Sequence, residues 1–177
     1  MTVRFYVAHG ASGSSASMRP HVEGLKRRGI EAQAIDLPVR TAEDVVPRFR
    51  EIVPDTAPPG GPLIAVGGQS YGGRVATLAA AAEGTDYAGI VCFSYPLHPP
   101  GRPEQAQTRS AHWPNIRCPV LLLSGEADPF ARIELLRAAV PLLRDGEIHT
   151  YPKLGHSLKT VLDDALDRAA EFLANLG

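Results

Sequence analysis

The sequence has few cysteines and almost no excess of charge. Cys92 and Cys118 are the only two cysteines among 177 residues. Both lie in or beside apolar runs and read as small buried hydrophobes, which does not suggest a secreted disulfide framework. Acidic and basic residues nearly cancel, leaving a formal charge of −1 spread along the chain. That balance gives no electrostatic footprint for nucleic acid or an anionic membrane. No grouping of histidine, cysteine and carboxylate has metal-ligand spacing. No glycine-rich turn has dinucleotide-binding spacing or a phosphate-loop lysine, so neither a metal nor another cofactor is expected. No apolar run approaches the roughly 20 residues of a membrane span. The N-terminus enters a strand pattern at Val3 without a charged and then apolar leader. Together these absences predict a soluble, cytoplasmic protein.

The length predicts one domain over residues 1–177, large enough to bury about 70% of the surface its unfolded chain exposes. Short β-branched and apolar runs alternate with segments of helical spacing. Strands are predicted at Val3–Ala8, Glu31–Ile35, from Leu63 into a turn, and at 87–93, 119–124 and Gly146–Tyr151. Helices are predicted at 16–28, 41–52, from the turn to about Glu83, 131–143 and 157–176. This alternation predicts a three-layer α/β/α fold with a parallel sheet. Residues 94–117 break the pattern. They hold four of the sixteen prolines between Pro96 and Pro103 and show poor periodicity, as in a long functional or irregular connection.

The chain is organised around residues 63–82, LIAVGGQSYGGRVATLAAAA. An apolar run leads into Gly68-Gln69-Ser70-Tyr71-Gly72, and a small-residue helical pattern follows at once. This is the strand–turn–helix context of a G-x-S-x-G nucleophile elbow. The serine sits at a strained turn, so its neighbours two before and two after must be nearly without side chain for strand and helix to approach. Ser70 would then stand clear of the sheet at a helix N-terminus, where developing negative charge is favoured.

A serine hydroxyl needs a base, and the base needs an orienting acid. In elbow-bearing enzymes these follow in the order serine, acid, histidine. Asp128 lies after the fifth strand in GEADPF, and His156 lies after the sixth in LGHS. Alone, Asp128 before Pro129 also reads as a helix N-cap, and His156 as a surface histidine. The joint order across three loops at the carboxyl ends of the strands favours a triad. Glu126 is the second choice of acid. His149 lies within a strand pattern and is a poorer base. Two backbone donors are needed for an oxyanion: the N–H of Tyr71, and one from the loop after the first strand, HGASGS, with Ala11 as the candidate. Ser12 of that loop and Tyr95, His98 and Trp113 of the 94–117 excursion are candidate substrate contacts. The three excursion residues read equally well as a plug packed on the sheet edge.

These motifs resemble the α/β-hydrolase superfamily over nearly the whole chain. HGASGS, GQSYGG, GEADPF and LGHS fall where that family keeps its oxyanion loop, nucleophile, acid and base. The run SYPLHPP and the strand ending SGEAD resemble the KANL3/Tex30-like branch, near the dienelactone hydrolases. Those hydrolases use cysteine where this chain has Ser70. The resemblance implies a minimal fold with six parallel strands in the order 2-1-3-4-5-6 and no large cap domain. It implies a serine hydrolase acting on a small or soluble carboxylic ester, a small-molecule partner. Because the branch includes a chromatin-complex subunit used for interaction, it also implies an alternative, a non-catalytic interaction module.

Overall fold

The computed structural model describes residues 2–177. Six strands, β1 (Val3–Ala8), β2 (Glu31–Ile35), β3 (Leu63–Gln69), β4 (Gly89–Phe93), β5 (Val120–Gly125) and β6 (Gly146–Tyr151), form one sheet in the order β2-β1-β3-β4-β5-β6. Every neighbouring pair is parallel. Six helices connect them: α1 (Arg19–Arg27), α2 (Ala42–Ile52), α3 (Tyr71–Ala81), α4 (Ala106–Ser110), α5 (Ile133–Ala139) and α6 (Leu162–Ala174). The fold is the expected three-layer α/β/α arrangement, and no cap domain is present among the described residues.

Residue composition explains the strand order. β4 and β5 are buried at every position, and their sequences GIVCF and VLLLSG are accordingly almost wholly apolar. A parallel strand covered on both faces has no polar side to present. The edge strands β2 and β6 carry Glu31 and Gln33, and Glu147 and His149, and are only partly buried. Charged, interrupted edges discourage pairing with another chain.

Alternation along each strand divides the core in two. Tyr6, Val66, Ile90 and Leu122 face one layer, built from α2, α3, α5 and the 94–117 excursion. Phe5, Ala65, Val91 and Leu121 face the other, built from α1 and α6. On the last helix Ala165, Leu166, Ala169 and Leu173 are buried against the second layer. No helix among the described residues is long and apolar enough to cross a membrane.

Element boundaries differ from expectation where proline or a tight turn intervenes. The helix predicted for 131–143 runs only from Ile133 to Ala139, and a 3-10 turn at Val140–Leu142 follows. Pro141 lacks the N–H that would continue the α-helical ladder. The last helix starts at Leu162 after a 3-10 turn at Lys159–Val161. The 94–117 segment is better ordered than its periodicity suggests. It contains 3-10 turns at Pro103–Gln105 and Trp113–Asn115, with the single-turn α4 between them. A five-residue helix is too short to show a repeating apolar stripe.

Candidate active site

The turn between β3 and α3 places Ser70 at φ 49°, ψ −115°, a region that non-glycine residues rarely occupy. Two backbone bonds hold it there. Its N–H donates to Phe93 O at 2.9 Å, and its carbonyl accepts from Arg74 N–H at 3.1 Å. The glycines on either side are required sterically. A Cβ on Gly68 would lie 2.5 Å from Ala8 O and 2.6 Å from the Gly72 carbonyl carbon, and one on Gly72 would also lie 2.5 Å from Ala8 O. Any side chain at either position would push α3 off the sheet.

The structure brings Ser70, His156 and Asp128 into one hydrogen-bonded line. Ser70 Oγ is 2.8 Å from His156 Nε2, and His156 Nδ1 is 2.8 Å from Asp128 Oδ2. With Nδ1–H donating to the carboxylate, Nε2 is left as the acceptor facing the serine hydroxyl. Asp128 is buried, whereas the His156 side chain keeps a quarter of its surface open. Asp128 Oδ1 accepts from Phe130 N–H at 2.8 Å. The residue therefore caps its own turn, while α5 begins later, with Arg132 in the capping position. One oxygen fixes the loop and the other fixes the imidazole.

The acid loop and the base loop are joined by backbone. Ala127 N–H donates to Leu154 O, and Glu126 N–H to Tyr151 O, both at 2.9 Å. A Cβ on Gly125 would collide with the carbonyls of Leu154 and Gly155, so glycine permits this approach. Glu126, two residues from Asp128, points elsewhere. Its Oε1 accepts from Thr150 Oγ1 at 2.8 Å and from Arg137 Nη2 at 3.2 Å. His149 packs edge-on against Tyr151 and lies 4.0 Å from Asp164, with no contact to Ser70.

Ala11 and Tyr71 line a cleft of about 320 Å³ together with Ser70. Tyr71 opens α3, so its N–H has no acceptor within the helix. The loop after β1 comes close to the nucleophile: a Cβ on Gly10 would lie 3.9 Å from Ser70 Cβ. His9 holds that loop. Its Nε2 accepts Leu37 N–H at 3.0 Å, so the proton sits on Nδ1 and is donated to Gly10 O at 2.8 Å. Larger hollows exist, such as one of about 640 Å³ between α1 and β2, but neither Ser70 nor His156 lines it.

The candidate substrate contacts need correction. Tyr95, His98 and Trp113 are almost wholly buried and offer no surface to a ligand in the cleft. Tyr95 packs edge-on against Trp113 at 5.1 Å between ring centroids, and its hydroxyl donates to Arg109 O at 2.6 Å. His98 Nε2 accepts Arg132 N–H at 3.0 Å, and Nδ1 donates to Pro99 O at 2.8 Å. The apolar rings fill the space between excursion and sheet, where burial outweighs exposure. Ser12 is exposed and does not line the cleft. Seven lining residues were not foreseen, among them Phe130, whose ring lies 4.4 Å from that of His156, and Arg40, Arg74 and Arg109. Phe130 follows Asp128 closely enough to have been suspected, but the arginines carry no local signal.

Similarity to known proteins agrees with this fold. The chain resembles the monoacylglycerol lipase of Paleococcus ferrophilus at 15% identity and a TM-score of 0.82, covering 98% of this chain and 95% of that one. It resembles an esterase of Thermogutta terrifontis at 20% identity and a TM-score of 0.73, covering 99% and 84%. It also resembles a dienelactone hydrolase of Anabaena variabilis at 23% identity and a TM-score of 0.74, covering 99% and 87%. At these identities the likeness is one of fold. No curated protein matches the sequence. The model of the alpha/beta hydrolase domain matches residues 2–174, and with nearly its whole length covered, the chain belongs to the α/β hydrolase family.

Proposed function

We propose that this protein is a serine hydrolase that cleaves small or soluble carboxylic esters through an acyl-enzyme. The observation that carries the reading is the unbroken line from Ser70 Oγ through His156 to Asp128, with both links at 2.8 Å. Ser70 Oγ attacks the acyl carbonyl carbon while its proton passes to His156 Nε2. Asp128 stays ionised and stabilises the imidazolium through Nδ1–H. The carbonyl oxygen becomes an oxyanion facing the N–H groups of Ala11 and Tyr71, each worth about 3 kcal/mol in the transition state. His156 then returns the proton to the leaving alcohol as the C–O bond breaks. Water, deprotonated by the same nitrogen, attacks the acyl-Ser70 carbonyl, and His156 returns that proton to Ser70 Oγ as the acyl–Oγ bond breaks and the acid leaves. The cleft of about 320 Å³ and the absence of a cap domain favour compact or soluble esters over long acyl chains.

Residues 1–177 act in this reading as one domain. The SYPLH run and the SGEAD strand end support membership of a KANL3/Tex30-like branch. A fluorophosphonate probe should label the wild-type protein and leave Ser70→Ala unlabelled, and a p-nitrophenyl ester series should give the highest kcat/KM for short acyl groups. A folded wild type that neither labels nor turns over any ester would overturn the enzymatic reading in favour of an interaction module.

A further inference from the structure

Resting on the hydrolase reading of Ser70, we propose that the cleft selects esters bearing a negatively charged group, a carboxylate or a phosphate, a few bonds from the scissile carbonyl. The guanidinium groups of Arg40, Arg74 and Arg109 would hold it. They come from three separate parts of the chain: the loop after β2, the helix α3 that follows Ser70, and α4 of the excursion. All three line the same cleft as Ser70. In a chain whose charges otherwise nearly cancel, three cations beside one nucleophile form a local concentration that the composition does not reveal.

The spacing suits the chemistry. Arg74 lies four residues after Ser70, so it shares the same helix face, about 6 Å further along the axis. Arg109 reaches the cleft from α4, and its Nη1 donates to Pro96 O at 3.0 Å. Among the described residues, no carboxylate forms an ion pair with Arg109 or Arg40. The one opposing acid is Glu43, half-exposed and bonded to Arg74 Nη2. Arg74 Nε is buried without an acceptor.

Arg109 is therefore poorly compensated. Burial depresses its pKa first, and the nearby charge of Arg74 depresses it further. Two guanidiniums facing one space repel each other, and an anion between them converts that repulsion into charge-assisted hydrogen bonds. Their structural duties do not exhaust them. Tying α3 to Glu43 uses one nitrogen of Arg74, and anchoring Pro96 uses one nitrogen of Arg109. A guanidinium carries further N–H donors suited to the planar oxygens of a carboxylate or phosphate.

The test compares two esters of equal chain length on the intact protein: mono-p-nitrophenyl glutarate, which is anionic, and p-nitrophenyl pentanoate, which is neutral. At about 0.01 M ionic strength the glutarate should have the larger kcat/KM by about tenfold or more, and the ratio should shrink toward one near 1 M salt as screening sets in. Arg109→Gln should cut the ratio severalfold, and Arg109→Lys should recover part of it. Should Arg109→Gln fold poorly, Arg40→Gln at an exposed position should still lower the ratio. Free glutarate and inorganic phosphate, compared as competitive inhibitors at matched ionic strength, identify the anion: stronger inhibition by glutarate assigns a carboxylate, and stronger inhibition by phosphate assigns a phosphate. A labelled, active wild type that handles the two esters equally, or a preference that survives both substitutions, overturns the anion site and leaves the hydrolase standing. No label and no turnover of either ester removes the hydrolase reading, and this one with it.

Discussion

Two histidine-bearing loops follow strands of the same sheet and do opposite work. His98, in the excursion after β4, is buried, and both its ring nitrogens meet backbone groups, Pro99 O and Arg132 N–H. His156, after β6, is partly open, and both its nitrogens meet side chains, Asp128 and Ser70. His9 repeats the first pattern, with Gly10 O and Leu37 N–H. A ring whose lone pair is taken by an N–H is a loop staple, because it has no site left to receive a proton without breaking a bond. A ring whose lone pair faces a hydroxyl can act as a base. The difference lies in what each nitrogen faces and is invisible in residue type.

The strongest way to break this comparison is to remove the side chains in the hydrogen-bonded line. Ser70→Ala or His156→Ala should lower kcat by about a million-fold, with circular dichroism and melting temperature nearly unchanged. Asp128→Asn should cost about ten-thousand-fold, because an amide that donates to Nδ1 imposes the wrong tautomer. Steady-state ester hydrolysis measures both. If His98→Gln lost activity as completely as His156→Ala while staying equally stable, the distinction between staple and base would fail.

The excursion should respond in stability rather than chemistry. Trp113→Ala should destabilise by about 3–5 kcal/mol, as expected for a fully buried aromatic, and His98→Ala by about 1–3 kcal/mol through two unmatched backbone groups. Urea midpoints measure both.

Acid sharpens the contrast from a third side. Burial lowers His21 to about 4. Burial first, and then the charge of Arg74, lower His112 to about 4. Between their ordinary value of 6.5 and about 4, the unfolded chain binds protons that the folded chain refuses. Stability should therefore fall as pH drops through that window, by up to about 3 kcal/mol for each histidine, and these groups should add nothing further below it. His112→Asn should flatten the pH dependence of the urea midpoint. Glu126→Gln should have the smallest effect: a stability change within about 0.5 kcal/mol and nearly unchanged kcat, since its partners are Arg137 and Thr150 rather than His156.

Much of this was legible in the residues. The glycines around Ser70 mark a close approach of strand and helix, and that requirement acts over five residues, so it is written locally. The alternation of apolar runs with helical spacing likewise gives the layers. The excursion was not legible. Its aromatics fit a pocket wall and a core plug equally well, because hydrophobicity states a preference for burial but not a direction. Arg40, Arg74 and Arg109 are scattered over seventy residues, and no spacing rule joins them.

By itself, then, the sequence determined where the chain must turn, which segments pair into a buried sheet, and which three loops end at its carboxyl edge. Steric exclusion at glycine and proline and the period of apolar residues are properties of neighbours in the chain. Only the tertiary structure decided that Tyr95, His98 and Trp113 turn inward, that Glu126 turns to Thr150 and Arg137, and that three arginines share one cleft. Those choices depend on where distant backbone bonds, such as Ala127 N–H to Leu154 O, fix the loops, and such contacts join residues that no local pattern links.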